Sequence, residues 1–397
     1  MKLAFVVQRY GADIAGGSEG HCRQLAQRLA SRHDITVLTT CARDYVTWAN
    51  SYPAGAATDG SVRVRRFPVA RTRNLSVFGD LSDQVFDGGA PMAQQEAWFK
   101  ANGPDAPALL EHLRTRGADY DLILFWTYRY APSYFGLPLV PDRAVLVPTA
   151  EEDPAIDLEM LKDYFAKPAG YLFLTPEEQT LVANRMTVPM PPSAVIGIGL
   201  EPHRTSPVSR AALEELGVPA TYLLYLGRVD RNKGCDTLLD YFQAYAARHP
   251  DVALVLAGPA KMQLPAHPQI RALGYVSEDV RSALLTSAVA LIVPSPYESL
   301  SIVLLEAWNA GVVALVNGRC KVLEGQVRRA DGGLAYRSAA EFDAALDYLL
   351  SHEAERRSLG EQGRAYVDRE YRWPLVLERV EALLTEVSSR RSSQTPA

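Results

Sequence analysis

Two glutamates, one arginine and one lysine carry most of the chemistry that this sequence offers. In PSPYESLSIVLLEAW, Glu298 follows an apolar run and Glu306 stands eight residues later. Carboxylates accept paired hydrogen bonds from sugar and ribose hydroxyls. A fully helical span would set the two about 12 Å apart along the axis, roughly the reach of a sugar joined through a diphosphate to a nucleoside. Between them, Ser299 and Leu300 would open the helix, and their backbone N–H groups would offer a seat for phosphate. Glu306 lies among Ile302, Val303, Leu304, Leu305 and Trp308, so it is expected to be buried and to need a partner. The alternative is that either glutamate only caps or flanks the helix.

The segment LGRVDRNKG sets Gly227 at the end of a strand, Arg228 beside it and Lys233 five residues on. Arginine as a planar fork and lysine as a point charge can neutralise a diphosphate; the same pair can also be an ordinary solvated loop. Other chemistries find less support. Cys22, Cys41, Cys235 and Cys320 form no CxxC pair, which reads as reduced thiols of a cytosolic protein. The seven histidines show no ligand spacing. Asp119-Tyr120-Asp121 is formally a metal-binding DxD, but it precedes a strand, so Asp121 reads as the strand start. No essential metal and no cofactor are expected. His21 falls near a glycine loop, either lining a cleft or packed in the core or at the surface.

These residues must be positioned by strands and helices. The opening LAFVV reads as a buried strand, followed by a loop bearing Gly11, Gly16 and Gly17. Cys22, Leu25, Ala26 and Leu29 then follow helix spacing, with Ser18 as the expected N-cap, before the strand Ile35–Thr40. Strand, loop, helix, strand is a βαβ unit of a parallel sheet. Further strands are expected at Val62–Phe67, Asp121–Trp126, Ala144–Thr149 and Gly170–Thr175. Residues 74–90 read as loop, and the proline-rich stretch 187–210 as a linker. The alternation restarts with strands at Thr221–Gly227, Val252–Gly258, Val289–Ser295 and Val312–Asn317. Ligands of such sheets bind at the carboxyl ends of the strands.

The chain has 397 residues, 48% hydrophobic and 22% charged, which suits two domains of roughly 150–200 residues. A net charge of −5 argues against a nucleic-acid binder. Five arginines, Arg63, Arg65, Arg66, Arg71 and Arg73, crowd one segment. They form either a solvated strand edge or a patch for anionic lipid or a phosphate-bearing acceptor, with peripheral membrane contact. The first apolar run, Leu3 to Val7, is too short for a signal peptide, and no window approaches 18 uninterrupted apolar residues. The protein is therefore expected in the cytoplasm, with the inner face of the membrane as a further location.

The order LGR…KG, LAG, GYVSED and then E-x7-E resembles the family-4 group of retaining glycosyltransferases. PSPYESLSIVLLEAWNAG and VNGRCKVLEGQVRRADGGLAY are similar to members acting in bacterial polysaccharide assembly. The resemblance implies the GT-B fold: two Rossmann-like doubly wound parallel-sheet domains facing across a cleft. The boundaries are then 1–200 for the acceptor domain and 201–372 for the donor domain. A helix at 373–388 packs back on the first domain, and 389–397 is a disordered tail. By this resemblance Arg228 and Lys233 bind the donor diphosphate, Glu298 positions the sugar and Glu306 binds ribose. Ser299 and Leu300 meet the phosphates, and the Tyr275-Val276 backbone meets the base. Gly16 and Gly17 match the group's glycine loop near diphosphate and acceptor, where the plain alternative is a tight turn. Glu151 stands where similar sequences carry a histidine at the donor sugar or reacting centre. A carboxylate accepts hydrogen bonds there but does not donate them at neutral pH. Its neighbours Glu152 and Asp153 either bind acceptor hydroxyls or form an acidic solvent loop.

The implied activity moves a hexose from a UDP- or GDP-linked sugar, with retention, to a hydroxyl of a glycan, lipid-linked or small-molecule acceptor. A Rossmann oxidoreductase or epimerase would need G-x-G-x-x-G, which GADIAGGSEG does not fit. A catalytically impaired nucleotide-sugar-binding protein is the remaining alternative, and Glu151 is its support.

Overall fold

The structure is a computed structural model that describes residues 1–14 and 16–394. The chain divides into two compact units, Met1–Ile198 with Val376–Ala397, and Gly199–Leu375.

The first unit is built on eight strands: β1 (Lys2–Val6), β2 (Asp34–Thr40), β3 (Gly55–Asp59), β4 (Val62–Phe67), β5 (Leu122–Trp126), β6 (Ala144–Val147), β7 (Gly170–Phe173) and β8 (Ser193–Val195). Their order across the sheet is β3-β4-β2-β1-β5-β6-β7-β8. Every pairing is parallel except β3 with β4. The central strand β5, LILFW, is buried at all five positions, as a parallel strand covered on both faces must be. Seven helices accompany these strands: α1 (Gly17–Leu29), α2 (Leu75–Phe86), α3 (Met92–Asn102), α4 (Pro107–Arg116), α5 (Ala131–Gly136), α6 (Met160–Phe165) and α7 (Pro176–Ala183).

The second unit has a six-stranded, wholly parallel sheet. Its strands are β9 (Tyr222–Leu226), β10 (Ala253–Ala257), β11 (Ile270–Gly274), β12 (Ala290–Val293), β13 (Ala314–Asn317) and β14 (Gly333–Tyr336). The order β11-β10-β9-β12-β13-β14 is the dinucleotide-fold order, which reverses between its first and fourth strands, β9 and β12. The helices are α8 (Arg210–Glu215), α9 (Cys235–Ala246), α10 (Glu278–Ser287), α11 (Ile302–Asn309), α12 (Lys321–Ala330), α13 (Ala339–Ser351) and α14 (Glu353–Glu370). A last helix, α15 (Trp373–Gln394), carries the chain back into the first unit. There Val376, Val380, Leu383, Leu384 and Val387 are buried.

Several elements differ from expectation. Residues 74–90 contain α2 rather than loop. Asn74 caps it by accepting the Val77 N–H at 3.2 Å, and Phe78, Leu81 and Val85 pack on the first unit's core at helix spacing. The strand β3 forms a hairpin with β4, and β8 lies inside the expected linker. The helix α1 is capped by Gly16, not Ser18; the Ser18 hydroxyl binds the Glu19 carboxylate instead, at 2.8 Å. The helix α15 runs to Gln394, six residues past the expected end at 388, and Arg391 ties that extension to the Asp142 side chain and the Asp121 carbonyl oxygen.

Candidate active site

The second unit places Arg228, Lys233 and Glu298 past the carboxyl ends of two neighbouring strands of its sheet. The chain leaves β9 through Gly227 and Arg228 into a short 3-10 turn, Arg231–Lys233, before α9 begins. Asp230 organises this loop, which the sequence reading did not single out. Its carboxylate caps the turn by accepting the Lys233 N–H at 3.0 Å and is ion-paired with the Arg228 guanidinium. Gly234 ends the turn in the left-handed region, φ +71°, and a side chain there would collide with the Pro294 carbonyl oxygen after β12. The two loops are thus packed backbone to backbone at the point where the strand order reverses.

Across that reversal the Lys233 ammonium donates to Glu298 Oε1 at 2.8 Å. The Glu298 side chain is 12% exposed and that of Lys233 31%, so the pair is sheltered yet reachable from solvent. A lysine from the loop after the first strand and a carboxylate from the loop after the fourth therefore meet where doubly wound sheets take their ligands.

Beyond Glu298 the chain is not helical until Ile302, and Ser301 is the N-cap of α11. Ser299 and Leu300 therefore precede the helix instead of opening it, and the span from Glu298 to Glu306 is only half helical. The cap is unusual: Ser301 makes no side-chain cap bond. Its own N–H goes to Gln326 Oε1 at 3.2 Å. Ser301 Oγ and Gln326 Nε2 are buried, and neither has a hydrogen-bond partner among the described residues. Open donors at a helix N-terminus suit an anion.

Glu306, four residues into α11, finds the partner that its apolar setting requires. Arg281 on α10 is ion-paired with it, and Arg281 also reaches Glu278 at 3.3 Å. Burial raises the Glu306 carboxyl above its ordinary value, and Arg281 pulls against that rise. Arg281 carried no sequence signal, because its partner lies 25 residues away on another helix. Val276 lies between β11 and α10, whose N-cap Ser277 accepts the Val280 N–H.

The first unit places its candidates at the carboxyl edge of its own sheet. Gly16 and Gly17 lie between β1 and α1. Beneath them, Arg9 donates to Glu19 Oε1 at 2.9 Å through Nε and to the Arg43 carbonyl at 2.8 Å, and both side chains are buried. A Cβ on Gly16 would strike the Glu19 carboxylate. A side chain at this position would have to displace the buried Glu19 carboxylate from its present place.

Glu151 follows β6. Arg129, after β5, is ion-paired with Asp153, the residue that caps the next turn. Burial disfavours the Arg129 charge, but Tyr128, Asp153 and Glu151 together more than offset it. Glu151 is therefore not set among acids alone. Glu178 fixes the strand ends beside it, accepting the Ala150 N–H at 2.7 Å and the Leu174 N–H at 2.6 Å. Thr127 and Thr149, each just past a strand, both adopt positive φ, a strained conformation that clusters at functional sites.

The other candidates of the first unit make contacts within it. Arg63 pairs with Asp34 and Arg71 with Asp105. Arg66 donates to the Tyr10 carbonyl, Arg73 to Asn102, and Arg65 lies over the Phe67 ring. Asp121 accepts the Lys2 N–H, and Asp119 pairs with Arg116. His21 is buried, with Trp126 Nε1 donating to its Nδ1 at 3.4 Å. No described helix is long and apolar enough to cross a membrane.

A doubly wound parallel sheet in each of two units is the architecture of the GT-B class, and solved structures of that class match nearly the whole chain. The sucrose-phosphate synthase of Thermosynechococcus elongatus matches with a TM-score of 0.73 at 18% identity, covering 98% of this chain and 99% of that one. A trehalose 6-phosphate synthase of Burkholderia multivorans matches at 0.72 and 14% identity, covering 98% and 100%. The Anabaena HepE protein, in complex with UDP and glucose, matches at 0.70 and 16%, covering 97% and 99%. Residues 214–366 match the family described as Glycosyl transferases group 1. The chain thus has the GT-B fold, and its second unit is a glycosyl transferases group 1 domain. An uncharacterized glycosyltransferase of Methanocaldococcus jannaschii is 29% identical over 164 residues, a match that spans 38% of this chain and 41% of that relative.

Proposed function

We propose that this protein is a nucleotide-sugar-dependent glycosyltransferase of the retaining family-4 type. It moves a hexose to a hydroxyl of a glycan, lipid-linked or small-molecule acceptor. The observation that carries the reading is the Lys233–Glu298 pair across the strand reversal of the second unit, beside Arg228 held by Asp230. The binding of UDP in the Anabaena relative supports a nucleoside diphosphate donor.

In this mechanism the donor diphosphate is the leaving group. Arg228, Lys233 and the N-terminus of α11 face the charge that develops on it. They favour the transition state over the ground state, because that charge grows as the glycosidic bond breaks. Charge supplied by side chains and backbone N–H groups makes a metal unnecessary for departure. Glu298 orients the sugar through its hydroxyls. Glu151, an acceptor of hydrogen bonds only, selects a hydroxyl on the sugar or on the acceptor.

Lys233→Ala and Glu298→Ala should each lose at least about a hundredfold in kcat, with circular dichroism and the thermal midpoint little changed. Turnover close to wild type in either variant would overturn the assignment. Activity should also survive EDTA, and a strict requirement for added divalent cation would remove the metal-independent reading.

A further inference from the structure

Arg281 has no place in the reading above, yet it holds the carboxylate expected at the ribose. It sits one turn into α10 and crosses to Glu306 on α11, and the two side chains are 24% and 22% exposed. A surface ion pair of this kind would contribute little, but here burial works against both charges. Arg281 engages Glu306 Oε2. That bond ties down one carboxylate oxygen and leaves Oε1 as the other acceptor. Among the described residues the other charged group facing the pair is Glu278, 3.3 Å from the Arg281 guanidinium, on the same helix as Arg281, its side chain 83% exposed.

We propose that Arg281 is a positioning residue that sets Glu306 to read the ribose hydroxyls, and so makes the donor site discriminate ribonucleotides from deoxyribonucleotides. The inference rests on the nucleotide reading of the second unit. Its physical basis is that a carboxylate tied at one oxygen by an arginine accepts a short, charge-assisted bond from a ribose hydroxyl through the other. A carboxyl free to rotate does not hold that bond. Once a site is built around a hydroxyl, the analogue lacking it leaves a buried acceptor unpaired.

The test measures binding of UDP, GDP and ADP, each beside its 2′-deoxy counterpart, by calorimetry at constant pH. Wild type should bind one ribonucleotide at least about tenfold more tightly than its deoxy form. In Arg281→Leu that ribonucleotide should weaken about tenfold while the deoxy form stays within about twofold. Arg281→Lys, which keeps charge but not the planar fork, should fall between. Adding Arg281→Leu to Glu306→Gln should cause no further loss, since the two act as one unit. Equal weakening of both nucleotide forms, or an unchanged ratio in Arg281→Leu, overturns the role of Arg281 and leaves the nucleotide site standing. A preference of wild type for a deoxy form overturns the role as well. Failure of wild type to bind any of the three ribonucleotides overturns both the site and the inference.

Discussion

At the residue scale, the functional claim rests on pairs rather than on single side chains. Lys233 with Glu298, Arg228 with Asp230 and Arg281 with Glu306 are three cation–carboxylate pairs in one unit. Asp230 is the most informative to remove, because it both caps a turn and holds Arg228. Asp230→Ala should cost about 1 kcal/mol of stability for the lost cap and lower kcat at least about tenfold with donor KM little changed. Denaturant midpoints and steady-state kinetics separate the two effects. An equal loss in Asp230→Asn, which keeps a capping oxygen but loses the charge, would place the effect in electrostatics. The cations and carboxylates themselves were legible in the sequence as residue types able to meet a sugar and a diphosphate, although the eight-residue interval between the glutamates is only half helical. Their partners were not. Asp230 looked like one more loop acid, and Arg281 meets Glu306 only because α10 and α11 are brought together in space.

At the element scale, the parallel strands were readable because full burial makes them unbroken apolar runs, as in LILFW or ALVLA. What escaped were elements at the margins. The strand β3 is short and mostly exposed, β11 exposes its middle residues, and α2 hid its Phe78, Leu81, Val85 spacing behind Gly79 and two aspartates. Two tests belong here. Gly234→Ala should destabilise the second unit by more than about 1 kcal/mol, because it adds a collision to an unfavourable φ; a denaturation curve identical to wild type would refute the close packing of the two loops. Glu178 supplies the other. Burial pushes its carboxyl up to about 8, so the folded chain keeps a proton there that the unfolded chain has already released. Between roughly pH 4.5 and 8 the unfolded state binds fewer protons, and the Glu178 contribution to stability falls as pH rises. The wild-type midpoint should therefore drop more steeply across this window than that of Glu178→Gln, and parallel profiles would contradict the assignment.

At the scale of the whole molecule, the first unit is discontinuous: it takes its last helix from beyond the second. The five apolar side chains that α15 buries within the first unit represent on the order of 10 kcal/mol of burial, comparable to the whole stability of a domain. A chain ending at residue 375 should therefore lose the first unit's cooperative unfolding transition and become sensitive to protease within residues 1–198, while the second unit keeps its own transition. Retention of both transitions would show that α15 is dispensable. The same discontinuity orders events during synthesis. Residues 199–375 emerge as one uninterrupted stretch and can complete their sheet as soon as they clear the ribosome. The unit begun first must wait, with an apolar face open, until the ribosome has passed residue 387. Of the two units, the one begun first is thus the one finished last, and the interval in between is when a chaperone has most to do.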